Sequence, residues 1–214
     1  MDANDVAEAI RETVAEQNAE NDADNRFRSR VALLIAVLAA LLAVSSLGGD
    51  NVGEDLIVSN IHASDTWAFY QAKNVRQTVT SAAADALEAE LIVSGKELPA
   101  EARSAIESRI AKYRATVSRY DSEPDPNFPA DSTKGEGKKQ LAAKARVFEA
   151  QRERAESQDT NFDYAEALFQ IAIVLGSVAI LALSRKILVF SVAAGALATL
   201  LMLNGYLLLV PLPF

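Results

Sequence analysis

The chain contains no cysteine among its 214 residues and only one histidine, His62. Without cysteine it can form no disulfide, thiolate nucleophile or cysteine-ligated metal site. One histidine leaves little material for a metal centre or a Ser–His pair, so we expect no metal, no cofactor and no catalytic residue. Positive charge is also scarce, with 21 Lys and Arg against 29 Asp and Glu. Because phosphates require clustered cations, this balance indicates that nucleic acid is not a partner.

Charged residues are missing from three long apolar runs, at residues 31–47, 168–183 and 187–210. Such runs are typical of helices that span a bilayer, although the first lies at the short end of the range. A signal peptide is the alternative for the first run, but an acidic segment precedes it where a signal peptide has a short basic region. We therefore expect an uncleaved anchor. The lack of ionisable groups in the spans counts against a proton-coupled transporter.

The pattern as a whole predicts an all-α membrane protein: three transmembrane helices, with a long antiparallel helical hairpin, coiled-coil-like, as a soluble domain between spans one and two. Gly48, Gly49, Asp50 and Asn51 are expected to end the first span, because such residues cluster where helices stop. The predicted segments are an acidic tail at 1–25 (disordered, or a short docking helix), a span at 26–48, a helical domain at 49–160, and spans at 161–184 and 187–210.

Inside the domain we expect helices at about 60–93, 99–120 and 138–160, joined by a proline-rich linker at 121–137. Three prolines prevent a continuous helix in this linker, which we expect to be extended. No proline or glycine separates the third helix from the second apolar run, so we expect one continuous helix there.

Small and apolar residues recur at heptad spacing along the helix predicted at 60–93. This seam consists of Ile61, Asp65, Ala68, Ala72, Val75, Val79, Ala82, Ala86, Ala89 and Val93. Only Asp65 is polar, which is typical of close contact with another helix. The following helix carries its own stripe, and we expect that stripe to lie against the seam. Its members are Leu98, Ala102, Ile106, Ile110, Tyr113, Val117 and Tyr120.

The aromatic segment at the start of this helix has two interpretations. It either packs against returning helices or at headgroup level, or it binds a partner or lipid through Lys73 and Arg76. His62 and Asp65 are too few to hold a metal. The interface candidates on this helix are Ile61, Trp67, Ala68, Phe69, Tyr70, Ala72, Lys73, Val75, Val79 and Ala82.

Four residues of the second and third spans are candidates for transmembrane packing: Gly176, Gly195, Thr199 and Asn204. The glycines fit small-xxx-small contacts between helices. For Asn204 we favour a hydrogen bond between helices over a ring of polar groups in a pore.

Two basic segments indicate the orientation. Arg26, Arg28 and Arg30 precede the first span, and Arg185 and Lys186 separate the second from the third. Three spans place both segments on one side, and the positive-inside rule makes that side cytoplasmic. The localisation expected is a bacterial inner membrane with a cytoplasmic N-terminus and residues of about 50–160 in the periplasm; the opposite orientation is the alternative.

Residues 62–73, HASDTWAFYQAK, preceded by one span and followed by two, resemble a bacterial membrane family known as domain of unknown function 4337. Phe69 departs from the tyrosine common there. The resemblance implies this topology but no activity, substrate or catalytic residue. Our hypothesis is a non-enzymatic scaffold or assembly protein that contacts membrane lipid and binds copies of itself, or another membrane or periplasmic protein. The alternatives are an oligomeric channel lined by Thr199 and Asn204 and, with least support, an envelope hydrolase.

Overall fold

The computed structural model describes residues 3–94 and 97–211, and within them it contains four α-helices and no β-strand. They are α1 (Ala3–Ser94), α2 (Ala100–Asp121), α3 (Lys138–Ala182) and α4 (Arg185–Leu207). The all-α class predicted from the sequence is confirmed. By length and composition α1, α3 and α4 could each cross a membrane, but α1 is far too long to be a simple span.

The first helix, α1, continues without a break from the acidic segment through the first apolar run and the residues predicted to end it. The expected break at residues 48–51 and the connector after it are wrong, because all these residues are helical. The acidic segment is also helical from Ala3 onward and joins the same helix. The expected stop at Gly95 lies outside the described residues, next to the end of α1 at Ser94. Each glycine inside a helix costs about 1 kcal/mol relative to alanine, so packing has to compensate at Gly48 and Gly49.

The helix α3 joins the third soluble segment to the second apolar run without interruption, as the sequence predicts. Its two parts belong to different compact units. Unit 1 comprises Met1–Glu54 and Ala155–Phe214, and unit 2 comprises Asp55–Arg154.

Unit 1 is a three-helix arrangement in which α1 and α4 run in the same direction and α3 runs in the opposite one. Close approaches define this order: Ile35 and Leu38 of α1 meet Gly176 of α3 and Gly195 of α4, respectively. The core is formed by large aromatic and small aliphatic side chains in alternation. Its buried members are Leu38, Phe162, Ala165, Phe169, Ala172, Ala198 and Met202.

The ring of Phe162 explains why glycine occupies position 48, where a helix end was expected, and also position 205. A Cβ added at Gly48 would lie 2.6 Å from Tyr206 Oη and 2.8 Å from Phe162 Cε1, and one added at Gly205 would lie 2.9 Å from Phe162 Cζ. Tyr206 packs edge-on against the same ring at 4.9 Å and donates a hydrogen bond to the Val44 carbonyl at 3.1 Å. These glycines therefore make room for an aromatic ring between helices and do not end one.

Unit 2 contains part of α1, the helix α2, a loop and the first turns of α3. No residue of α2 is fully buried, and its stripe from Leu98 to Tyr120 is half-buried. The loop is compact, which contradicts the extended linker expected from its prolines. Glu136 N donates to Glu123 O at 2.9 Å, so the two ends of the loop lie together. Because Lys139 also pairs with Asp121 at 2.8 Å, α3 begins beside the end of α2.

Candidate functional site

The seam of α1, defined above by its ten residues, is exposed along its whole length. The expectation that α2 packs on the seam is wrong. Relative exposure is 51% at Ile61, 62% at Val75, 63% at Val79 and 84% at Val93. In unit 2, α1 packs on its own chain through a different face.

The opposite face of α1 carries the contacts within unit 2. Ala63, Thr66 and Ala84 are buried there, and Gln77 Nε2 donates to the Val117 carbonyl of α2 at 3.0 Å. Several residues of this inner face are polar, so apolar periodicity does not indicate it.

Near the C-terminal end of α1, Arg114 of α2 forms the polar contacts between the two helices. Its guanidinium donates to both carboxylate oxygens of Glu88, at 3.0 and 2.8 Å, and to Asp85 Oδ1 at 2.6 Å. The hydrogen bonds to Glu88 and then to Asp85 raise the pKa of Arg114 above its usual value. Such a fork-to-carboxylate geometry fixes direction as well as distance, so it aligns α2 along α1.

The ten interface candidates divide between these two faces. Trp67, Tyr70 and Lys73 belong to the inner face and are partly buried. Trp67 Nε1 donates to Glu149 Oε1 of α3 at 2.8 Å, and the Trp67 and Tyr70 rings pack edge to face at 5.4 Å. The remaining candidates lie on the exposed side: Ile61, Ala68, Phe69, Ala72, Val75, Val79 and Ala82. The packing interpretation thus fits Trp67 and Tyr70, while Phe69, 66% exposed, flanks the seam.

Lys73 forms its contacts inside unit 2, so its ammonium is not directed toward a phosphate group outside the protein. Its side chain is only 14% exposed, and its ammonium lies 3.4 Å from Glu123 Oε2. It also donates to the Glu136 carbonyl and lies 5.9 Å from the centre of the Tyr120 ring. Lys73 therefore joins α1 to both ends of the loop, which explains why the loop is closed.

Two acidic side chains at the loop, Asp121 and Asp131, accept hydrogen bonds from nearby residues. The hydrogen bond from Lys139 lowers the pKa of Asp121 below its usual value, and hydrogen bonds from Thr133 do the same for Asp131. His62 stacks on Phe148 at 5.0 Å and does not bring ligands together. Among the residues whose side chains the structure describes, no group of three His, Asp or Glu residues could hold a metal ion.

The four transmembrane candidates lie in unit 1. Gly176 and Gly195 are buried against Ile35 and Leu38. Thr199 Oγ1 donates to the Gly195 carbonyl within its own helix at 2.8 Å. Asn204 Nδ2 donates to Asn161 Oδ1 of α3 at 2.8 Å and to the Val210 carbonyl, and Asn204 Oδ1 accepts from Val210 N. Asn204 therefore joins two helices and ends α4.

The arrangement defines a class of protein: an all-helical chain with three apolar helices that fit a membrane, a hairpin in unit 2 and a free seam. The chain belongs to the family described as domain of unknown function (DUF4337), whose model matches residues 27–208. This confirms the resemblance seen at residues 62–73. The match includes α2, α3 and α4 in full. Comparisons with curated proteins and with solved structures find no match for the chain.

Proposed function

We propose that this protein is a non-enzymatic membrane scaffold that assembles by pairing the seam of α1 with the seam of a second copy. The observation that carries the proposal is the exposure of all ten seam residues on a helix whose opposite face already holds α2. At ~1.5 Å per residue, the seam extends for roughly 50 Å. An apolar stripe of this length is unfavourable in water and is typical of a surface that another helix covers.

The side chains of the seam suit a helix as its partner. Alanine predominates, so two backbones can approach closely, and Val75 and Val79 supply branched side chains near the middle. Copies inserted in one bilayer with one orientation are related by rotation about the membrane normal, which pairs equivalent residues with one another. Among the ten seam residues, only Asp65 then meets a like charge.

Membrane placement is supported by the outer surface of unit 1. Large apolar side chains cover it, for example Leu33 at 68%, Leu181 at 85% and Phe190 at 66% exposure. The hydrocarbon core of a bilayer accepts such a surface, whereas water does not. We propose, by the positive-inside rule, a bacterial inner membrane with the basic segments cytoplasmic and unit 2 periplasmic.

Because the chain has no cysteine, a single introduced cysteine reports on self-association without background. Val79→Cys places a thiol in the seam, and the control Ala111→Cys places one at an exposed site on α2. We expect copper-phenanthroline oxidation in native membranes to give a disulfide-linked dimer for Val79→Cys but not for Ala111→Cys. Equal crosslinking of both variants, or of neither, would contradict pairing through the seam.

A second experiment makes the seam polar and leaves the inner face of α1 unchanged. The double variant Val75→Glu/Val79→Glu introduces charges at two exposed positions of the seam. We expect native mass spectrometry in mild detergent to detect an oligomer for the unmodified chain and a monomer for this variant, with unchanged helix content. A strictly monomeric, partner-free unmodified protein would rule out the scaffold.

The channel alternative is less well supported by the contacts of unit 1. The side chains that would line a pore, Thr199 and Asn204, use their hydrogen-bonding groups within the unit. Groups already paired in this way are poor ligands for a passing ion, which has to replace its hydration shell. Conductance of the purified protein in planar bilayers would restore this alternative.

A further inference from the structure

Five cationic residues from two distant segments lie at the same end of unit 1. This basic cluster consists of Arg26, Arg28, Arg30, Arg185 and Lys186. Their proximity follows from the register of the helices. Gly176 of α3 approaches Ile35 of α1 and Ser191 of α4, so these three positions share one level. Moving six or seven residues from that level, about 10 Å, reaches Arg28 on α1 and Arg185 on α4.

The basic cluster is not neutralised by the part of the chain that the structure describes. None of its five side chains forms an ion pair with a described acidic group; Arg26 Nε donates only to the Asp22 carbonyl, at 3.1 Å. Arg26, Ser29 and Arg30 line an open groove of about 350 Å³ together with Asp22 and Asn25. The five positive charges repel one another because they lie at one end of the unit, and binding an anion among them reduces this repulsion.

The start of α4 adds to the positive field. Its first turn contains Arg185 and Lys186 and no acidic residue, and its N-cap, Ser184, makes no side-chain hydrogen bond to the helix. Cations at a helix N-terminus oppose the helix dipole. This unfavourable placement is relieved when a negative group binds beside them.

Exposed apolar side chains lie within a turn or two of the basic cluster on both segments. Leu33 follows Arg30 on α1, and Val189 and Phe190 follow Lys186 on α4, all about two-thirds exposed. A soluble anion would use the charges alone, whereas a phospholipid uses the charges for its phosphate and the apolar surface for its acyl chains. We propose that the basic cluster binds the headgroup of an anionic phospholipid, with its chains along α1 and α4.

The proposal rests on the membrane placement above but not on self-association. Full-length protein is reconstituted in nanodiscs of phosphatidylcholine containing a minor fraction of phosphatidylglycerol, and lipids retained after release are counted by native mass spectrometry. We expect the unmodified chain to retain phosphatidylglycerol in preference to phosphatidylcholine. Since each cation near the headgroups contributes about fivefold, Arg185→Gln/Lys186→Gln should weaken this preference on the order of 25-fold.

The matched control, Arg109→Gln/Lys112→Gln, removes the same charges from exposed positions of α2 and should keep the preference. The exchange Arg185→Lys/Lys186→Arg should also keep it, which separates loss of charge from loss of fold. Retained preference in Val75→Glu/Val79→Glu would show that lipid binding is independent of seam pairing. The proposal is overturned if the unmodified chain has no preference, if the control loses as much, or if inorganic phosphate at equal concentration displaces the lipid.

Discussion

Units 1 and 2 are both built from packed helices, but they hold those helices together in different ways. In unit 1, glycine and alanine let helices approach closely around Phe162 and Phe169, which are both under 2% exposed. In unit 2, α2 has no buried residue, and charged groups such as Lys73 and Arg114 join the helices. Unit 1 thus depends on shape and unit 2 on polar contacts, while the seam is left free.

This difference agrees with the membrane placement proposed above. In lipid, burying apolar area provides no driving force between helices, so close packing has to provide it. In water, charged hydrogen bonds such as those of Arg114 give direction to the pairing of α2 with one face of α1. Apolar burial remains available to the seam for association between copies.

The largest effect is expected from removing the aromatic ring at the centre of unit 1. Phe162→Ala leaves a cavity between Gly48 and Gly205, and we expect a loss of about 3–5 kcal/mol of unfolding free energy. The control Phe190→Ala removes an equal volume from a side chain that is 66% exposed. Thermal unfolding in mild detergent, followed by circular dichroism, measures both. Similar midpoints for the two variants would contradict a packed core at Phe162.

The next effect concerns the polar contacts of unit 2. Lys73→Met removes the ammonium that joins α1 to Glu123 and Glu136 and leaves Glu123, 35% exposed, with only the longer ion pair to Arg119 at 3.9 Å. We expect the free energy of unfolding of unit 2 to fall by about 1–3 kcal/mol. Trp67 is the only tryptophan of the chain, so its fluorescence during urea titration reports on unit 2.

The control for Lys73 is Arg76→Met, which removes a cation from the exposed side of the same helix. We expect the free energy of unfolding to change by no more than about 0.5 kcal/mol, as is usual for surface substitutions. Equal effects at both positions would mean that the contacts of Lys73 do not stabilise unit 2.

A smaller effect, on association and not on folding, is expected from the one charge in the seam. Asp65→Val removes a carboxylate that meets its own copy when equivalent residues pair. The oligomer should then persist at lower protein concentration, measured by mass photometry during dilution. The control Asp55→Val lies outside the ten seam positions and is expected to leave the dilution curve unchanged. Weaker association of Asp65→Val would contradict pairing between equivalent residues.

The smallest effect is a pH dependence at Asp159 in unit 1. Burial and the charge of Asp163 raise the pKa of Asp159 above its usual value. Its contribution to stability is therefore fully present below the unfolded-state pKa, near 4, and is lost as pH rises through the folded-state pKa. Asp159→Asn should raise the unfolding midpoint at pH 7 more than at pH 4. The exposed control Glu156→Gln should not, and a lower midpoint for Asp159→Asn at pH 7 would contradict the assignment.

The sequence predicted those features that depend on one chemical signal. Three uncharged apolar runs led to three helices able to cross a membrane, and the unbroken segment after residue 138 led to the continuous α3. Glycine carries two meanings, a helix end or a close contact, and only the position of Phe162 distinguishes them at Gly48. The helix break predicted there was wrong for that reason.

The direction in which the seam faces could not be obtained from periodicity. A heptad pattern identifies an apolar face but not its partner, and the face that holds α2 contains Lys73, Gln77 and Glu88. The contacts of those polar groups depend on α2 and the loop, which are distant in sequence. The loop was likewise predicted to be extended because its prolines exclude a helix, yet Glu136 N donates to Glu123 O and Asp125 N donates to Lys134 O, and these two hydrogen bonds close it.

The ring of Phe162, which packs against Gly48 and Gly205, also determines how the three helices of unit 1 can be aligned. Displacing α1 by one turn would present Val44 or Val52 to the ring in place of Gly48, and displacing α4 by one turn would present Leu201 in place of Gly205. Either shift drives a branched side chain into space that the ring fills. The ring therefore fixes the register of the three helices, because sliding one helix past the others by a single turn would create a steric clash.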